Sequence, residues 1–317
     1  MKHSLFLFGV LVAFSLDTGA EQTDAPSFLA GERVIIEAHN CYPYQGRWEK
    51  RLDDALAAGV PLGIELDLCW DSGKGGDREG RLIVAHGGPF SGKEPLLRDY
   101  FFERVRPIME EALQSDDTHH WPLITLNIND IRGDAPGLHR AVYDLIRSYE
   151  PWLCTAPKGA EPLPVAPITL KPMLILAGGG ARERAHFYDA VPVGGSLFIF
   201  GSGNAERPAD NFRRWINYSW RDVEPQGQPQ AGAWTEEAAA RLNALVSNAH
   251  KQGYWIRFYG LDGRNPIVHL GQGGNPGYNF GSLEAVQQRW KAAVVAGVDF
   301  IATDQIQDAV DFKKSLE

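Results

Sequence analysis

The chain has 317 residues, 44% of them hydrophobic and 22% charged, with a formal net charge of -9. These fractions belong to a folded globular protein and exclude wholesale disorder. The acidic balance excludes broad nucleic-acid binding, which needs clustered Lys and Arg, but not a small anionic ligand held by a local cation.

The chain opens with basic Met1-Lys2-His3 and an apolar run over 4–16, too short to span a bilayer comfortably. Thr18-Gly19-Ala20 then supplies the small residues of a cleavage site. This predicts a signal peptide over 1–20 and an exported, secreted or periplasmic, chain over 21–317. An N-terminal membrane anchor is the alternative. No later stretch is long and apolar enough to span, and no basic amphipathic segment predicts a stable membrane anchor.

Short apolar runs then alternate with helical patterns. Strands are predicted at 34–38, 62–68, 82–86, 123–128, 173–177, 197–200, 254–259 and 300–303. Helices are predicted at 48–58, 100–113, 137–148, 235–252 and 282–296, with Pro107 a point of kinking or restart. The helix at 235–252 has the fullest signals: Thr235 as cap, Glu236 and Glu237 in its first turn, His250 and Lys251 in its last, then Gly253. The stretches 71–80, 156–167, 226–232 and 271–277 read as loops. Eight strands separated mostly by helices predict an α/β protein with a parallel sheet, closed as a (β/α)8 TIM barrel in a single domain. A doubly wound sheet is the rival. Gly178-Gly179-Gly180 follows a strand, but Glu183 stands where a dinucleotide fingerprint has its last glycine.

In such a barrel the chemistry sits at the carboxyl ends of the strands. His39-Asn40 ends the first strand, Glu65-Leu66-Asp67 the second, His86-Gly87 the third, Asn127-Ile128-Asn129-Asp130 the fourth and Thr303-Asp304 the eighth. Glu65 and Asp67 are two apart and share a face, so their charges repel unless a cation neutralises them. A hard divalent cation, Mg2+ or Ca2+, suits oxygen ligands; a salt-bridged or solvated carboxylate pair is the bland alternative. Two histidines flanking such a pair could act as general base and general acid in breaking a phosphodiester.

The run His39-Asn40, Glu65-x-Asp67 and Val84-Ala85-His86-Gly87 resembles the catalytic signature of the phosphatidylinositol phospholipase C and glycerophosphodiester phosphodiesterase superfamily. Residues 297–304 (GVDFIATD) are similar to the last barrel strand of the glycerophosphodiesterases, whereas 151–230 match nothing in it. The resemblance implies a metal-dependent phosphoric diester hydrolase acting on glycerophosphodiesters or phospholipid headgroups, in some cases through a cyclic phosphate. It implies His39 as the base or acid nearest the attacking hydroxyl, His86 as its partner, and Asn40, Glu65 and Asp67 on the metal. The family's carboxylate on the fourth strand is missing, leaving Asn127, Asn129 or Asp130 as further ligand, with Asn127 preferred. That departure keeps a second function open, a degenerate barrel that binds phosphorylated or lipid ligands without turnover.

Trp255, Arg257 and Tyr259 share one face of the seventh strand, where Arg257 and Tyr259 are candidate substrate contacts. A surface-paired arginine is the alternative. The segment 215–220 (WINYSW) reads as core or as an apolar rim, and Asn217-Tyr218-Ser219 is a formal glycosylation sequon. His119-His120 precedes a strand and reads as surface. Cys41 and Cys69 lie two residues past His39 and Asp67 and are expected to form a disulfide across the two loops; free buried thiols are the alternative.

Overall fold

The computed structural model describes residues 33–43, 49–73, 80–133, 135–264 and 275–317. The expected signal peptide lies outside the described residues, as do parts of the loops at 71–80 and 271–277. The chain runs β1 (Ile35–Ala38), α1 (Arg51–Ala57), β2 (Leu62–Glu65), β3 (Leu68–Asp71), β4 (Arg81–Val84), α2 (Glu103–Gln114), β5 (Ile124–Ile128) and β6 (Ile131–Arg132). It continues through α3 (Leu138–Arg147), β7 (Ala156–Pro157), β8 (Met173–Ala177), α4 (Ala181–Arg184), β9 (Ser196–Leu197), β10 (Phe200–Ser202) and β11 (Arg213–Ser219). Finally come α5 (Glu236–Lys251), β12 (Trp255–Tyr259), α6 (Leu283–Ala296), β13 (Phe300–Thr303) and α7 (Ile306–Lys314).

Eight of these strands close a barrel in the order β1-β13-β12-β11-β10-β8-β5-β2, every pair parallel. The predicted (β/α)8 barrel is therefore the fold, but not with the predicted strands. The run at 82–86 is not a barrel strand. The chain turns after Glu65, and β3 pairs antiparallel with β4 from Leu68↔Val84 to Asp71↔Arg81, an ion pair of 2.6 Å between Arg81 and Asp71 closing the far end. This hairpin, with β6, forms a small sheet beside the barrel. The vacated place is taken by β11, part of which reads from sequence as an aromatic cluster. Trp215 and Trp220 are fully buried and belong to the core rather than to a rim.

Local signals explain the helices. Thr235 accepts from Ala238 N at 3.2 Å and Ser282 from Ala285 N at 3.3 Å, capping α5 and α6. Gly297 ends α6 at φ 77, a left-handed turn that costs glycine little. Pro107 sits inside α2 without ending it. Inside the barrel Gly63 stands beside Glu37 in register, and a Cβ there would come 2.7 Å from the Glu37 Cβ. The missing side chain makes room for a buried carboxylate. A Cβ at Gly179 would fall 1.6 Å from the Ser202 carbonyl oxygen, so this glycine serves the close approach of two strand ends.

The expected disulfide is not formed. All three cysteines are free and buried. Cys41 packs in the main core, whereas Cys69, carried off on the hairpin, faces a separate cluster with Ile83 and Ala85 and gives its thiol to the Ala85 carbonyl at 3.2 Å. No described helix is long and apolar enough to cross a membrane. Gly63→Ala should lower the free energy of unfolding by about 1–3 kcal/mol through overpacking against Glu37. Urea titration measures this, and an unchanged midpoint would show that the interior has slack.

Candidate active site

At the carboxyl end of the barrel lies a cavity of about 590 Å³ lined by His39, Asn40, Tyr42, Glu65, His86, Asn129, Asp130, Arg132, Asn217, Arg257, Tyr259, Tyr278 and Asp304 among others. His39 follows β1 and is 6% exposed. Its Nδ1 lies 3.0 Å from Asp304 Oδ1 and its Nε2 3.6 Å from Glu65 Oε2. Tyr259 stacks on the ring at 6.0 Å between centroids, and Tyr278 meets it edge-on at 5.9 Å. Asp304 is held in turn by Arg51 Nη2 at 2.8 Å, and its peptide N–H is accepted by Asp262 at 2.7 Å.

These contacts fix charge. Burial alone would lower the His39 pKa, but the Glu65 charge and the Asp304 hydrogen bond outweigh it and raise it to about 9. At neutral pH His39 is an imidazolium. Burial pushes Asp304 up, yet Arg51 and His39 hold it well below the usual carboxylate range. Burial, then the Asp304 charge, raises the neighbouring Asp262 to about 7.

His86 reaches the cavity by another route than predicted, from the end of the hairpin rather than from a barrel strand. Its Nδ1 lies 2.7 Å from Asp67 Oδ2 and 3.1 Å from the Tyr42 hydroxyl, and its side chain is 42% exposed. The ring lies parallel to Tyr42, 9° between planes. Arg132 Nη2 stands 3.5 Å from Asp67 Oδ2 and 2.6 Å from Asp130 Oδ2.

Arg257 points inward as its strand parity predicts, but it lies under the cavity and is 1% exposed. Its Nε donates to Glu37 Oε1 at 2.6 Å, its Nη2 to Glu65 Oε2 at 2.9 Å and its Nη1 to Asn217 Oδ1 at 2.8 Å. Burial disfavours its charge, and Glu37 and Glu65 outweigh that and raise its pKa. Burial raises Glu65 too, but Arg257 and His39 bring it below its ordinary value. Burial leaves Glu37 raised. Asn217, the sequon asparagine, thus spends its side chain inside the barrel on Arg257. Asn127 is fully buried beside Glu37, its Nδ2 3.4 Å from Oε1 and its Oδ1 accepting from Asn129 N.

The expected metal ligands can be tested against these partners. Their oxygens are of the right type for a hard cation. Their arrangement does not fit one. Glu65 is ion-paired to Arg257, Asp67 to His86 and Arg132, and the Asn40 Oδ1 accepts from the Tyr42 hydroxyl at 2.6 Å. Asn127 lies below, tied to Glu37. Among the described residues no group of three or more His, Cys, Asp or Glu converges as a cation site. The cation that the carboxylate pair demands is supplied by two guanidinium groups.

The sequence brought His39, His86, Asn40, Glu65, Arg257 and Tyr259 to one cavity, with Asp67 directly behind His86. It assigned no role to Tyr42, Arg51, Arg132, Glu37 or Tyr278. Only Tyr42, three residues after His39, carried any signal; the others reach the site through tertiary packing.

This arrangement sits on a known barrel. No family model matches the sequence, and no curated protein does. Among solved structures, a phosphatidylinositol-specific phospholipase C from Listeria monocytogenes matches with a TM-score of 0.50 at 12% identity, over 90% of this chain and 94% of that one. A glycerophosphoryl diester phosphodiesterase from Parabacteroides distasonis matches at 0.44 and 13%, over 92% and 90% of the two chains. An endo-beta-1,4-glucanase from Bacillus licheniformis matches at 0.43 and 12%, over 87% of this chain and 55% of that one. The chain shares its closed parallel barrel with the Listeria protein. At this identity the likeness fixes the architecture alone.

Because His39 is raised from 6.5 to about 9, its pairing stabilises the folded chain fully below pH 6.5 and is lost as pH rises through 9. The urea midpoint of wild type should therefore fall across that window more steeply than that of His39→Asn. Parallel curves would deny the imidazolium its place.

Proposed function

We propose that this barrel is a phosphodiesterase that cleaves glycerophosphodiesters or phospholipid headgroups, with His39 and His86 as its acid–base pair. The observation that carries this reading is the pairing of each imidazole, through Nδ1, with its own carboxylate, Asp304 or Asp67, on one shared cavity. Binding alone needs no such equipment. An Nδ1 anchored on a carboxylate fixes the tautomer and leaves Nε2 for chemistry.

In this reading His39, held charged, gives its proton to the leaving alkoxide oxygen. His86 takes the proton of the attacking oxygen, a neighbouring hydroxyl of the substrate or a water. The bond from phosphorus to the attacking oxygen forms as the bond to the leaving oxygen breaks. Attack by a neighbouring hydroxyl yields a cyclic phosphate, which water opens with the two histidines exchanging roles. This order reverses the resemblance-based assignment of His39 to the attacking hydroxyl. The charge of the diester meets the His39 imidazolium and Arg132, while Arg257 neutralises Glu65 from below. No step here is routed through a divalent cation. The amides and tyrosines around the cavity suit a small polar headgroup, and the Listeria barrel of the same fold is named for a phosphatidylinositol. Export, to the periplasm or the outside, completes the proposal and rests on the apolar start of the chain.

Incubating the protein with glycerophosphodiesters and with phosphatidylinositol vesicles, read by 31P NMR, tests the reaction. Turnover is expected for at least one diester. His39→Ala and His86→Ala should each reduce kcat by about 10²–10⁴-fold with the melting temperature little changed. Full activity in either variant refutes the assigned roles, and tight binding without turnover would establish the degenerate barrel instead.

A further inference from the structure

We propose that Tyr42 is a positioning residue that fixes the two imidazoles relative to each other through a bridge running His39–Asn40–Tyr42–His86. The inference rests on the acid–base reading above and adds the part that makes two separately anchored rings act as one unit.

Tyr42 is buried, 2% exposed, and its hydroxyl sits between the two sides of the cavity. It donates to Asn40 Oδ1 at 2.6 Å and lies 3.1 Å from His86 Nδ1. On the other side the Asn40 amide nitrogen lies 3.0 and 3.3 Å from the two ring nitrogens of His39. Asn40 has φ 51, in the left-handed region that asparagine tolerates better than most residues. Arg51 donates to its carbonyl at 3.1 Å, and its own N–H reaches Glu65 Oε2 at 3.3 Å. The bridge therefore has a fixed middle.

Hydrogen-bond accounting sets its direction. Burial, then the charges of Asp67 and Glu65, raises the Tyr42 pKa, so the phenol keeps its one proton. That proton goes to the Asn40 amide oxygen, and because the His39 imidazolium has no lone pair to accept from the NH2, the link from Asn40 to His39 is the peptide bond that joins them. A phenol lone pair is left facing the Nδ1–H that His86 shares with Asp67. The hydroxyl thus holds the turn that follows His39 on one side and the His86 tautomer on the other. The imidazoles themselves belong to elements with no covalent reason to move together, β1 and the hairpin.

Tyr42→Phe removes one oxygen and keeps the ring stacked on His86. The expected result is a fall in kcat of about 10–100-fold with KM within about twofold, since orientation is lost and the cavity is kept. Asn40→Gly, which tolerates the same φ, should give a similar loss, and the double variant should lose no more than either single one. Additive losses, or an unchanged kcat in Tyr42→Phe, would overturn the bridge. A second readout needs no activity. In protein labelled with 15N-histidine, Tyr42→Phe should shift the ring nitrogens of His39, which the hydroxyl does not touch, and Asn40→Gly those of His86. Signals that move only on the neighbouring ring would overturn the coupling. Should wild type turn over no diester, the acid–base reading falls, and these shifts still decide the bridge. Should one variant fail to fold, the other carries the same measurement.

Discussion

One buried cation holds this active end together. Arg257 rises from β12 into the barrel and meets Glu37 from β1, Glu65 from β2 and Asn217 from β11. Two carboxylates in a low-dielectric interior repel each other and resist ionisation. A guanidinium between them brings Glu65 below its ordinary value while Glu37 stays raised, and its planar fork satisfies three partners at once. Removing one partner of such a network typically costs about 3–5 kcal/mol, because the remaining charge is stranded. The network ties four strands across the barrel and keeps Glu65 ionised, and Glu65 is one of the two charges that hold His39 protonated. Gly63 exists for the same reason, since a side chain there would displace Glu37.

Outside this centre, two arms carry the imidazoles. His39 is clamped by Asp304, which Arg51 and Asp262 fix from either side. His86 is clamped by Asp67 at the root of the hairpin, with Arg132 and Asp130 behind it. Both arms follow one logic: an imidazole on a carboxylate, and the carboxylate on a guanidinium. They differ in burial: His39 is enclosed, whereas the His86 side chain is 42% exposed.

Much of this was legible in the sequence. The predicted helices at 137–148, 235–252 and 282–296 fall within a residue of α3, α5 and α6. Strand-end reasoning gathered His39, Glu65 and His86. The strand inventory failed twice, in ways that cancelled in the count. Residues 82–86 form an apolar run like that of a barrel strand, but β3 ends at Asp71, and the few residues between it and β4 are too short for a parallel crossover; only an antiparallel hairpin fits. β11 was hidden because its arginines and Asn217 face polar partners, so no apolar run marked it. The placing of Cys69 and of Asn127 depended on where the strands ended: Cys69 leaves on the hairpin, and Asn127 is buried inside the barrel. On the metal, the sequence leaves the partner of Glu65 invisible. Sequence shows that an acidic pair needs a cation but not that an arginine about 190 residues away supplies it.

The most direct test is turnover of a cleaved diester after exhaustive chelation. If guanidinium groups meet the acidic pair, the rate in chelator equals that of untreated protein, and added Mg2+ or Ca2+ changes nothing. A rate that collapses on chelation and returns with either ion would contradict the account at its centre.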